Sequence, residues 1–303
     1  MQSELLLIPG SQQYIELVDY EGFNHIALYD YTSPTPVSMV THGEWEVTQI
    51  AGFRADTRTA YYLSTEGDET ERHLYSVNID TGISSRVDLT GPGFYAVSFS
   101  TQSGFYVLTY NGPYLPYQTL MSTSDPGRHP FPFLKKQDKT IQNITLGTEL
   151  NITLEDNAAL AAKLSTFAMP ERMFIKVPAP ANGGFASNYS NIFPSPRLPC
   201  PRPHTALFSF CVAINCVMIL PPDFVESEPR MYSVLHRVYG GPGSNLVQQT
   251  FVLDWHTYLA STEEYIISMC DGRGTGQKGN LFKHAVYKNL GEYEAYDNVL
   301  ASR

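Results

Sequence analysis

Along its first half the chain alternates short apolar stretches with polar, glycine-containing breaks. "YIELVDY" (Tyr14 to Tyr20), "HIALYDY" (His25 to Tyr31), "EWEVTQI" (Glu44 to Ile50), "TAYYLST" (Thr59 to Thr65) and "HLYSVNI" (His73 to Ile79) are rich in β-branched and aromatic residues, and "YAVSFS", "FYVLTY" and "YQTLMS" continue the series to Ser122. Such runs predict strands, and their even spacing predicts antiparallel meanders. Groups of four strands recurring about every 40–50 residues suggest propeller blades more than a sandwich, although a faint repeat leaves the sandwich open.

The period changes near Leu154. In "LEDNAALAAKLSTFAMP" Leu160, Leu164 and Phe167 share one helical face, Asp156 or Asn157 can cap the start, and Pro170 stops it. A single helix after a run of strands marks a domain junction. After the strand "RMFIKV", the proline-rich stretch Ala186 to Cys211 has neither a strand nor a helix period. It reads either as a surface insertion loop or as a segment foreign to the fold, such as translated intron. Beyond it, "AINCVMILPPDF", "YSVLHRVYGGPGS", "VLDWHTYLAS" and "EYIISMCDGRGTG" alternate buried-strand runs with helical patterns. That order predicts a parallel sheet flanked by helices.

Composition narrows the function classes. A net charge of -10 argues against a nucleic-acid surface. No stretch is long enough to span a bilayer, and "MQSELLLIPGSQQY" lacks the pattern of a secretory leader. Cys200, Cys211, Cys216 and Cys270 show no metal-ligand spacing; they allow a disulfide whose pairing the sequence does not fix. Asn143, Asn151 and Asn188 begin glycosylation triplets, and Asn143 and Asn151 are expected on exposed loops. These triplets favour the secretory pathway, with any targeting segment outside these residues.

"CDGRGTGQKGN" (Cys270 to Asn280) satisfies G-x-G-x-x-G through Gly274, Gly276 and Gly279. A dinucleotide site also needs an acid at the end of the next strand, about twenty residues on. That acid would be Asp297, but "LGEYEAYDNV" has helical spacing and no strand leads to it. The fingerprint also belongs in the first βα unit of its domain, whereas two strands and a helix precede it here. A structural turn is the expected reading, and nucleotide binding the weaker one.

From Val238 onward "VYGGPGSN", "DWHTYLAST", "DGRGTGQKG" and "NLGEYEAYD" together resemble the prolyl oligopeptidase family of serine peptidases. Within it they are similar to the dipeptidyl peptidase IV branch, closest to the fungal dipeptidyl aminopeptidases. "THGEWEV", "YYLSTEGDETERHLYSV", "YAVSFS" and "LEDNAAL" resemble the same branch's propeller and its junction. The resemblance implies β-propeller blades (1–150), a junction helix and first hydrolase strand (151–185), an intrusion (186–212), and the beginning of an α/β-hydrolase domain (213–303). It favours the foreign-segment reading of the intrusion, which would separate neighbouring elements of the fold and leaves Asn188, Cys200 and Cys211 out of account.

The implied chemistry is release of N-terminal dipeptides, preferentially with proline or alanine second, from peptide substrates. A serine attacks, a histidine shuttles the proton and an aspartate orients it, while a tyrosine hydroxyl helps hold the oxyanion. By motif position that tyrosine is Tyr239, and the adjacent Gly240-Gly241-Pro242-Gly243 would turn tightly beside the substrate. No Gly-x-Ser-x-Gly elbow occurs in the 303 residues, so the chain alone is expected to be inactive. Asp254, Asp271, Asp297, His256 and His284 are given no triad role; Asp271 and Arg273 are expected to fix their loop by hydrogen bonds. No cofactor or metal is implied. Relatives in the branch form homodimers, and the fungal ones are secreted or vacuolar. A second reading, from another class, is a non-catalytic propeller subunit that binds a protein partner.

Overall fold

A computed structural model of the chain describes residues 5–88, 91–126, 147–180, 211–227 and 231–302. The chain divides into two compact units, 1–159 with 249–251, and 160–248 with 252–303.

Among the described residues the first unit holds three four-stranded sheets. The first contains β1 (Leu5–Leu7), β2 (Gln13–Tyr20), β3 (Phe23–Asp30) and β4 (Ser38–Met39). The second contains β5 (Val47–Arg54), β6 (Thr59–Ser64), β7 (His73–Asn78) and β8 (Ser84–Arg86). The third contains β9 (Tyr95–Phe99), β10 (Phe105–Tyr110), β11 (Tyr117–Pro126) and β12 (Gly147–Glu155). Every neighbour within a sheet is antiparallel and consecutive in the chain, which is the meander of a propeller blade and not a sandwich. The β2–β3 hairpin turns on Glu21 and Gly22, both at positive φ, the two-residue turn whose twist matches that of the strands.

The second sheet is buried on both faces. Tyr62, Tyr75 and Val77 join a core with Ile15, Ile26 and Leu28 of the first sheet. Tyr61, Leu63 and Leu74 point the other way, into a core with Tyr95, Tyr106 and Met121 of the third. Successive side chains of a strand face opposite ways, so a sheet covered on both sides needs apolar residues at every position. That is why "TAYYLS" reads as one continuous run. Asn151, expected on an exposed loop, lies instead within β12, an outer strand of its sheet. Asn143 and Asn188 lie outside the described residues. The segment 249–251 is held in this unit by Gln249 N–H on the Thr70 carbonyl (2.9 Å) and Phe251 N–H on that of Asn111 (2.6 Å). A Cβ on Gly112 would strike the Phe251 nitrogen, so that pairing requires glycine.

Helix α1 (Ala158–Leu164) follows β12, and the Asp156 carboxylate accepts from the Ala158 N–H at 2.9 Å, so Asp156 supplies the cap. Leu160 and Leu164 are half-buried. Phe167 lies beyond the last helical residue and is exposed, so the expected apolar face loses its third member.

The second unit contains β13 (Glu171–Pro180), β14 (Cys211–Leu220), β15 (Val234–Arg237), α2 (Trp255–Ser261), β16 (Ile266–Asp271), α3 (Gly279–Lys283), a 3-10 turn (His284–Val286) and α4 (Glu292–Ala301). Its sheet runs β13-β14-β16-β15. It is mixed, not parallel as the sequence pattern predicts: β14 is antiparallel to both β13 and β16, and only β15 and β16 are parallel. Apolar runs report burial, and burial is the same for either strand direction. The parallel pair is the one whose connection carries a helix, α2, as a crossover requires.

Alternate residues of β14 serve the two faces. Ile214 and Cys216 pack with Tyr296 and Leu300 of α4, whereas Val217 and Ile219 pack with Ala260 of α2 and Ile267. Helix α2 starts on a capping box, Asp254 accepting from Thr257 N–H while the Thr257 hydroxyl accepts from Asp254 N–H. Cys211 and Val212, assigned by sequence to the intrusion, form the first rungs of β14, opposite Pro180 and Ala179. The strands flanking 181–210 thus pair with each other over ten rungs, and the expected disruption is not seen in them; residues 181–210, Cys200 among them, lie outside the described residues. Cys216 and Cys270 face each other across β14 and β16 and form a disulfide.

Candidate active-site loop

β15 ends at Arg237, and Tyr239 opens the loop that follows. Ser244 N–H donates to the Gly241 carbonyl at 3.0 Å, with Pro242 and Gly243 between them and Gly243 at φ +73°. Proline second and a left-handed glycine third are the residues a type II turn demands. Tyr239 is 47% exposed, and its ring lies back across Gly241, where a Cβ would come within 2.5 Å of the phenolic oxygen. Glycine at 241 is therefore what lets the hydroxyl lie over the turn.

A second loop, Asp271 to Gly279, runs against the first. Gly243 N–H donates to the Gly274 carbonyl at 2.8 Å, and Gly276 N–H to that of Ser244 at 3.2 Å. The Asn245 side-chain amide donates to the Gly276 carbonyl at 3.0 Å. A Cβ on Gly276 would sit 2.6 Å from the Gly243 carbonyl oxygen, so the approach needs a glycine there. Asp271, 1% exposed, accepts the N–H groups of Leu246 at 2.8 Å and Val247 at 2.9 Å, one on each carboxylate oxygen. Burial pushes its carboxyl above the usual range, opposed by these amides and by Lys278.

This geometry disposes of the nucleotide reading. The G-x-G-x-x-G amides that would cradle a pyrophosphate are already engaged: Gly274 N–H donates to the Phe282 carbonyl, Thr275 N–H to that of Gly272, and Gly276 N–H to Ser244. Asp297, which would have held the ribose, is fully buried and accepts from Arg273 through its backbone N–H (2.7 Å), Nε (3.0 Å) and Nη2 (2.6 Å). The guanidinium also lies 4.3 Å from the Tyr293 ring centre.

Of the acids and histidines denied a triad role, Asp254 caps α2 and lies 3.0 Å from the His256 ring, while His284 begins the 3-10 turn. Arg273 does fix its own loop, as expected, whereas Asp271 grips the neighbouring one. Sequence reasoning missed that grip and the role of Asn245, because both partners lie some 25 residues or more away in the chain. Among the described residues no group of three His, Cys, Asp or Glu could hold a metal, and no helix is long and apolar enough to cross a membrane.

Residues 1–117 match the family model described as dipeptidyl peptidase IV (DPP IV) N-terminal region, and residues 251–303 match that of the prolyl oligopeptidase family. Tyr239 lies between the two. The chain is 33% identical over 298 residues to the "Probable dipeptidyl peptidase 4" of Emericella nidulans, covering 97% of this chain and 32% of that one. It is 32% identical over 300 residues to the dipeptidyl peptidase 4 of Trichophyton equinum, covering 98% of this chain and 32% of the relative. The crystal structure of Porphyromonas gingivalis dipeptidyl peptidase 4 superposes with a TM-score of 0.72 at 25% identity, over 98% of this chain and 34% of that one. The chain thus spans about a third of the length of the relatives it matches, and the shared fold is propeller blades followed by the beginning of an α/β-hydrolase domain.

Proposed function

We propose a function from one premise: this chain belongs to the dipeptidyl peptidase IV branch of the prolyl oligopeptidase family. The longer polypeptide to which these residues belong hydrolyses peptides from the N-terminus, releasing dipeptides with proline or alanine second. Tyr239 donates its hydroxyl hydrogen to the oxyanion of the tetrahedral intermediate. The observation that carries this reading is the tight 241–244 turn in the loop after β15, with the phenol half-exposed above it. A neutral donor lying over such a turn serves the transition state more than the ground state, because full negative charge develops on that oxygen only as the nucleophile adds. The serine, histidine and aspartate are not supplied by these residues, and we expect the 303-residue chain alone to leave substrate uncleaved.

The compartment we propose is the secretory pathway. The Cys216–Cys270 disulfide supports it, since such bonds persist in oxidising compartments.

The test is the full-length gene product, expressed through a eukaryotic secretory host and assayed on Gly-Pro- and Ala-Pro-p-nitroanilide. We expect turnover that an organophosphonate serine reagent blocks. Tyr239→Phe should lower kcat by about 10²–10³, the usual cost of one oxyanion donor, with KM little changed. A loss of mass on endoglycosidase treatment would accompany occupancy of Asn143 or Asn151. No dipeptide release, or an unchanged kcat in Tyr239→Phe, overturns the reading; release of nothing with retained capture of a protein partner favours the non-catalytic subunit.

A further inference from the structure

We propose that Asp271 is a positioning residue for Tyr239: its buried carboxylate, with the glycine loop it opens, clamps the loop that carries the phenol. The proposal rests on the functional reading above and deepens it.

Three observations carry it. Asp271 ends β16, an inner strand of the sheet, and its own backbone is still paired with Asn215 of β14, so its carboxylate is set on the sheet and not on a loop. Its two oxygens take one backbone N–H each, from Leu246 and Val247, with the Asn245 amide a longer third contact at 3.4 Å. Hydrogen bonds to an ionised acceptor are roughly twice as strong as neutral ones, and here the carboxylate is buried and the Val247 bond with it. Finally, the clamp is continued by two backbone bonds closer to the phenol, Gly243 to Gly274 and Gly276 to Ser244. The loop is thereby pinned from Gly243 to Val247, and the unpinned remainder is the short stretch from Tyr239 to Pro242 that the turn closes.

The chemistry selects an acid at this position. The two N–H donors meet different oxygens, Leu246 on Oδ1 and Val247 on Oδ2, and only a carboxylate presents an acceptor at both. Asparagine would offer one oxygen and turn an NH2 toward the second amide, leaving a buried backbone donor unpaired. Loop displacement matters because an oxyanion donor works only within hydrogen-bond reach, and a misplacement of about 1 Å can cost 10²-fold in rate. The G-x-G-x-x-G spacing acquires a reason in the same terms: Gly276 lacks a Cβ so that the two loops can touch, and the backbone of the second loop is a mould for the first.

The experiment uses the full-length gene product in a double-mutant cycle, with Asp271→Asn and, separately, Gly276→Ala, each on the wild-type and the Tyr239→Phe backgrounds. Circular dichroism identifies any variant that fails to fold, and Gly276→Ala keeps the test open if Asp271→Asn does so. In the wild-type background each should lower kcat by about tenfold or more with KM within about twofold. On the Tyr239→Phe background the further loss should shrink to about twofold or less, because the phenol the clamp positions is already gone. Equal losses on both backgrounds, or an unchanged kcat where Tyr239→Phe is impaired, overturn the proposal. Amide hydrogen exchange of residues 243–247 decides the clamp independently of catalysis. Faster exchange in Asp271→Asn supports it even if Tyr239→Phe retains full activity and the functional reading falls. Unchanged exchange overturns it.

Discussion

His73 is wholly buried on β7 between two carboxylates. Its Nε2 lies 2.6 Å from Glu71 and its Nδ1 3.0 Å from Asp88, while Arg86, itself paired with Asp88 at 2.6 Å, approaches Nδ1 to 2.6 Å. Burial disfavours the charged ring and Arg86 opposes it. The hydrogen bonds to Asp88 and Glu71, with the Asp88 charge, outweigh both, and the ring's pKa is held above its usual 6.5. A folded pKa above the unfolded one stabilises the fold fully below about pH 6.5, and that contribution fades as pH rises through the folded value. The first unit should therefore lose stability as pH rises above about 6.5, read as a falling urea midpoint, and His73→Gln should flatten that slope. A midpoint that rises with pH, or an equal slope in the variant, would contradict the assignment. The sequence offered "HLYSVNI" as strand and nothing more. The acids that charge the ring come from a turn and from a position just after β8, brought alongside by pairing that periodicity does not encode. "DGRG" was easier to read, since an acid and an arginine among glycines point to loop-fixing bonds. Their actual partners, Asp297 and the Leu246 and Val247 amides, could be found only in three dimensions.

Elements with a full period were visible in the sequence and elements without one were not. β2, β3, β6, β7, β9, β10 and the start of β11 stand within two residues of their predicted positions, because strands of five or more residues against a packed core leave an apolar signature. β1, β4 and β8 are two or three residues long, too short to establish alternation, even where, as in the three leucines of β1, every residue is apolar. β5 starts three residues later than its pattern suggested, at Val47. Strand direction left no trace in the second unit, and neither did the register that sets Cys216 opposite Cys270. That pairing has an energetic consequence. The bond closes a chain segment with a sequence separation of 54, for which the loop-entropy relation gives about 4 kcal/mol and measured disulfides typically about 2–4 kcal/mol. Reduction, or replacement of both cysteines by alanine, should lower the stability of the second unit by about 2–4 kcal/mol in urea unfolding. Unfolding that ignores dithiothreitol and the double replacement alike would show that the bond does not form.

At the level of the whole chain, each unit has cores of its own: two between successive sheets in the first, and one on each face of the mixed sheet in the second. The sequence conveyed this division through the change of texture near Leu154, from meandering strands to helices between strands. It did not reveal that 249–251 returns to the first unit, since three residues carry no period and their anchors, Thr70 and Asn111, lie far back in the chain. Separate cores should make separate transitions, because cooperativity follows the surface buried together. The two chemical levers then act on different regions of the same unfolding curve. Raising the pH past the raised His73 value weakens the first unit and leaves the disulfide untouched. Reducing Cys216–Cys270 weakens the second and leaves the His73 cluster intact. Unfolding of the 303-residue chain, followed by hydrogen exchange with mass detection, should show peptides of β5–β8 responding to pH and peptides of β14–β16 responding to reductant, each largely without the other. Were both sets to move together under either lever, the units would unfold as one cooperative body.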